Sequence, residues 1–163
     1  MRSVAAVTAA GILAMLLQTT IFPALPRLPV IPDLVLVLVV YLGLHHQTVG
    51  GVAGAFLLGY FLDTFSGTVL GMNAFAMTAV FVAVYLIARR LWTEGGLPIM
   101  GLVFFAGCVR ALASVFAAML AESPGPVWDH VIRYGVFEAG VAALVAPLVF
   151  GFVAWQERLW EPA

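Results

Sequence analysis

Long apolar runs recur from one end of the chain to the other, and that repetition fixes the solvent before any motif is read. A helix crossing the hydrocarbon of a bilayer needs about 20 apolar residues, at about 1.5 Å each. Residues 4–22, 70–91, 98–121 and 131–155 reach that length, 49–65 nearly does, and 33–45 is apolar but short. The charge balance agrees. Seven basic and eight acidic side chains among 163 residues, at a mean hydropathy of +1.12, cannot coat a water-soluble surface. The expected fold is all-α, a single integral membrane domain over 1–163. It is a compact bundle of six transmembrane helices, or five if 33–45 packs inside without crossing.

With the N-terminus inside, Arg2, Arg89, Arg90 and Arg158 fall on the cytoplasmic side and Arg27 and Arg133 near the outer side. This follows the positive-inside bias and places both termini in the cytoplasm. Trp92, Trp128, Trp155 and Trp160 all fall at span ends, where amphipathic rings sit. Every loop is short, so no extramembrane domain is expected. The first run follows Arg2 as a signal peptide would, but no small-x-small site follows Leu17, and it is expected to be retained. A net charge of −1 without a clustered basic face speaks against a nucleic-acid partner. Cys108 stands alone, which leaves no disulfide framework.

Three features stand out within the runs. Pro23, Pro26, Pro29 and Pro32 recur every third residue, the repeat of a polyproline II helix, and read as a stiff connector or a docking strip. Gly51, Ala55, Gly59 and Asp63 fall four apart on one helical face, and Gly67 and Gly71 continue the spacing beyond an expected break at Ser66. Small residues at that interval let another helix approach closely, so Asp63 should point into protein. An acid in that place can cap the next helix, expected to open at Leu70. Finally, Arg110 and Glu138 lie inside the last two spans, where an ionised group costs about 2.5–3.5 kcal/mol unless paired. At similar depths they form the expected intramembrane ion pair, with Asp63 the competing partner for the arginine.

Catalytic readings fail on inventory. A rhomboid-type protease needs Gly-x-Ser-Gly, whereas Thr64, Phe65 and Ser66 precede Gly67. A CDP-alcohol phosphotransferase needs several aspartates on adjacent turns, and Asp63 has no such companions. An aspartyl membrane peptidase needs two facing aspartates, but Asp33 and Asp129 fall at expected span entrances. His45 and His46 on one turn, with no carboxylate nearby in sequence, read as a solvated pair. No catalytic residue, cofactor or metal is expected, and the chain reads as a non-enzyme.

The stretch PDLVLVLVVY (32–41), followed by GGVAGAFLLGYFLDTFSGTVLGMNAFAM (50–77), resembles the MreD family, the rod-shape-determining integral membrane proteins. Pro32 and Asp33, then Gly59, Asp63, Ser66, Gly67 and Gly71, carry the pattern. The resemblance implies a multi-pass protein of the bacterial cytoplasmic (inner) membrane that serves as a scaffold or regulator of cell-wall elongation. It implies an MreC-like bitopic partner, a RodA-type glycan polymerase with its penicillin-binding transpeptidase, and indirect association with the MreB cytoskeleton, amid membrane lipids. It also makes Asp63 and the 66–71 turn candidates for partner contact. The family is similar to six-helix S components of energy-coupling-factor vitamin transporters. The alternative function is therefore a substrate-binding subunit of a small-molecule transporter, which would need an external polar cavity.

Overall fold

A computed structural model describes residues 33–66, 70–90, 96–120 and 125–160, together with scattered positions between 11 and 20. The proline ladder, Pro32 and Gly67 lie outside the described residues. Five helices are described: α1 (Leu34–His45), α2 (Val49–Ser66), α3 (Met72–Ala88), α4 (Gly96–Leu120) and α5 (Gly125–Trp160). A further helical stretch between 11 and 20 precedes them, and there is no strand among the described residues.

The first surprise for a soluble-protein eye is α1. Its sequence LVLVLVVYLGLH is rich in β-branched residues and could pass for a buried strand. In lipid a lone segment must satisfy its backbone polar groups internally, which selects a helix. This helix is apolar on every side, the pattern of one surrounded by protein. Every residue from Leu34 to Gly43 is buried, and α1 packs against all four other helices. The 12 residues of α1 give about 18 Å of helix, well short of the ~30 Å hydrocarbon thickness. α1 is the central post of the bundle.

The outer helices have the opposite character. α4 and residues 133–156 of α5 are long and apolar enough to cross a membrane, and only 28% and 33% of their apolar windows are buried. A core helix of a soluble protein would be mostly covered. Instead Leu112 is 71% exposed and Leu148 74% exposed, as lipid-facing side chains are. The remaining three described helices, at 10–17 apolar residues, are shorter. α2 packs chiefly on α3, and α4 on α3 and α5, so the chain wraps its successive helices around α1. In the N-terminal stretch, Gly11 faces Leu58 of α2 and Leu38 of α1.

Close approach is made by glycine at named points. A Cβ on Gly43 would come within 2.8 Å of Val84 on α3, and one on Gly107 within 2.6 Å of Ala139 on α5. The Gly51 position abuts the carbonyl of His46 and the ring of Phe81. The small-residue face of α2 therefore packs inside this chain.

Candidate functional site

The residues singled out in the sequence gather at two buried joints. The first joins α2 to α3. α2 ends at Ser66 and α3 begins at Met72, with Gly71 as its N-cap in the left-handed region at φ +97°. The first turn of any helix leaves N–H groups without intrahelical partners, and lipid offers them no water. Glycine has no side chain with which to cap them. Asp63, on the last full turn of α2, supplies the acceptors from the preceding helix. Its Oδ2 accepts from the backbone N–H of Gly71 at 2.9 Å and of Ala74 at 3.2 Å. Its Oδ1 accepts from the N–H of Asn73 at 3.0 Å and from the Asn73 side-chain amide at 2.9 Å.

This grip needs α2 and α3 almost in contact, and Gly59, one turn before Asp63, permits it. A Cβ there would stand 2.5 Å from the Asn73 carbonyl oxygen and 2.6 Å from the Ala74 Cα, both backbone atoms. Backbone cannot swing aside as a flexible side chain can. Gly59→Ala is therefore expected to push α3 off the carboxylate and lower stability by about 1–3 kcal/mol or more, read as the thermal midpoint in detergent. Gly101→Ala, where the added methyl meets nothing within 4 Å, should leave that midpoint unchanged. The α3 start differs from the expected Leu70 by two residues because Gly71, with its positive φ, redirects the chain before the helix can begin. Of Ser66, only the backbone at the end of α2 is described.

The second joint joins α1 to α4. Asp33 is buried at 3% exposure and forms an ion pair with Arg110. Its other oxygen caps α1, accepting from the Leu36 N–H at 2.9 Å and from the Gln18 side-chain amide at 3.4 Å. Gln18 in turn accepts from the Val35 N–H at 3.4 Å, tying the N-terminal stretch to the same point.

Arg110 was expected to pair with Glu138 or Asp63; the structure pairs it with Asp33, and Asp63 is engaged with α3. The reason is the central placement of α1. A helix of 12 residues enclosed by others starts inside the bundle, so the acid at its start meets a mid-span arginine. Asp33 had been expected at a span entrance. Sequence reasoning overlooked Gln18, although an isolated amide in an apolar run needs a partner as a charge does, and that signal could have found it.

Chemically, both carboxylates act as acceptors for groups that hold helices together. Among the described residues no three of His, Cys, Asp and Glu come together as a metal site. His45 stacks on Tyr41 with ring centroids 4.3 Å apart, and its Nδ1 lies 3.3 Å from the Tyr41 carbonyl oxygen.

The family model for the rod shape-determining protein MreD matches residues 2–155. The chain belongs to the MreD family. The matched region contains both joints, with Asp33, Gly59, Asp63, Gly71 and Arg110, as well as Glu138. Comparison with curated proteins and with solved structures gave no match. Membership assigns the chain a role in rod-shape determination as part of the cell-shape machinery. A membrane location follows from the family together with the two long, lipid-exposed apolar helices.

Proposed function

We propose that this MreD-family chain is a non-enzymatic scaffold and regulator of cell-wall elongation in the bacterial cytoplasmic membrane. Its membrane domain is built from the segments about 4–22, 33–45, 49–65, 70–91, 98–121 and 131–155, with the short 33–45 helix enclosed by the others and both termini in the cytoplasm. It binds an MreC-like bitopic protein and, with it, a RodA-type glycan polymerase and penicillin-binding transpeptidase, coupling them indirectly to MreB filaments.

The observation that carries this reading is the occupation of both buried carboxylates. Asp63 holds the start of α3, and Asp33 holds the start of α1 and Arg110. Groups so engaged are poor candidates for acid–base or nucleophilic work, which requires a freely exchanging proton or lone pair. The bundle instead offers a rigid frame with apolar outer faces, suited to helix–helix association. In this reading Asp63 acts on a partner through the turn it shapes, where Leu70 is exposed, and Asp33 fixes the start of α1. The described cavity lies at the opposite end of the bundle from that turn and is mostly apolar in its lining. It gives no support to the transporter alternative.

Affinity purification of the tagged protein from gently solubilised native membranes, followed by mass spectrometry, tests the proposal. Co-recovery of an MreC-like protein or of the polymerase–transpeptidase pair is expected. Recovery of paired ATPases with a coupling membrane subunit, and of neither expected partner, would overturn it.

A further inference from the structure

A cavity of about 410 Å³ opens where α1 ends, α4 begins and α5 passes Pro147. That volume falls within the ~300–1,000 Å³ usual for small-molecule sites. Its inner wall is aromatic: Tyr41 meets the Phe150 ring edge-on at 5.2 Å and stacks on His45. Its outer wall is thin because Gly96 and Gly151 lack side chains, and a Cβ on either would meet nothing within 4 Å. Pro147 has no N–H and leaves the carbonyl four residues earlier without its helical donor.

Two further observations give the space a polarity. The surface flanking its mouth is apolar and exposed on both helices, with Leu97 on α4 and Leu148 and Phe152 on α5. In a membrane, the molecules that meet such a mouth are lipids. At the other extreme lie the polar groups. His45 is exposed at the last residue of α1, and Arg158 is exposed one helical turn beyond Ala154, which lines the cavity. The four α5 lining residues Pro147, Phe150, Gly151 and Ala154 share a face that Arg158 continues toward the helix end. Glu157 lies about 100° around the helix from Arg158, at the flank of that face. Trp155, also exposed at this level, is the kind of side chain that sits at a membrane interface.

We propose that this cavity is a lipid site: it takes one acyl chain of an anionic phospholipid, with the phosphate at His45 and Arg158. The chain enters between α4 and α5 through the gap left by Gly96 and Gly151 and lies against Ile99, Pro147 and Phe150. The phosphate stays at the aqueous end, where the imidazole and guanidinium N–H groups donate to its oxygens. The site is independent of the scaffold reading, since neither buried joint contributes to it.

The test uses the full-length protein reconstituted in phosphatidylcholine vesicles that contain phosphatidylglycerol with a diazirine in its acyl chain. After irradiation, labelling is mapped by peptide mass spectrometry. Labelling near Ile99 and Ala154 should exceed that around Leu112, a lipid-facing position away from the cavity, by several-fold. Gly151→Leu fills the space and should bring the excess down to the Leu112 level. Gly140→Leu, on the same helix and equally unobstructed, should preserve it and serves as the folding control. Arg158→Gln should reduce the preference for the phosphatidylglycerol probe over an uncharged diacylglycerol probe. Even labelling of all exposed faces would overturn the site, and equal labelling by diacylglycerol would overturn the phosphate contact. If unlabelled polyprenyl phosphate displaces the probe at far lower concentration than phosphatidylglycerol, the phospholipid assignment is wrong.

Discussion

Asp63→Ala lowers the unfolding free energy of the solubilised protein by about 3 kcal/mol. Four donors converge on this carboxylate. Hydrogen bonds inside membrane proteins average about 0.6 kcal/mol each, and bonds to a charged group in water-soluble folds reach about 1.5–3 kcal/mol. The lower scale gives about 2.4 kcal/mol and the upper far more. Three of the donors are backbone N–H groups of a helix start, which alanine would leave without their acceptor.

Asp63→Asn separates charge from geometry. It keeps one carbonyl oxygen for Asn73 but turns an NH2 group toward the N–H groups of Gly71 and Ala74, donor against donor. The loss should be about half that of alanine. Equilibrium unfolding in mixed micelles measures both. An asparagine variant as stable as the parent would show that Asp63 does not hold α3.

The second large effect concerns Asp33 and Arg110. Arg110→Leu strands a buried carboxylate and is expected to cost about 3–5 kcal/mol. Asp33→Asn is the informative partner, because it keeps the Oδ1 cap on Leu36 while removing the charge that faces the guanidinium. Alone it leaves Arg110 largely uncompensated. Combined with Arg110→Leu it removes both charges, and the double variant should recover most of the loss. A coupling energy of about 2 kcal/mol or more is expected between these positions. The same cycle between Arg110→Leu and Glu138→Gln should be additive within about 0.5 kcal/mol. Strong coupling there, and none with Asp33, would restore the pairing expected from sequence depth.

The contrast between these joints shows what a linear reading can reach. Asp63 and the start of α3 are eight to eleven residues apart, and the glycine spacing already placed both on a closely packed face. A cap reaching across a short turn leaves a local trace: an acid after a small-residue stripe, then a glycine, then a new apolar run. Arg110 and Asp33 leave no such trace. Their pairing depends on how far into the bundle α1 begins, and depth counted along each span assumes that every span starts at the same surface. A buried helix of 12 residues breaks that assumption. The all-round apolar character of 34–45 was the signal for it, since a helix with no polar side and too little length belongs inside. The cavity was beyond reach as well, because Tyr41, Gly96 and Gly151 come from three distant segments and meet only in the packed bundle.

By itself, the sequence determined the solvent, the all-helical class, the need of each intramembrane charge for a partner, and the resemblance to MreD. These follow from composition and local spacing, because lipid imposes the same demand on every backbone group wherever the chain goes. The tertiary structure alone decided which partner each charge takes and where space is left between helices. Those outcomes depend on distances between residues far apart in the chain, set by how closely glycine lets the helices meet around α1.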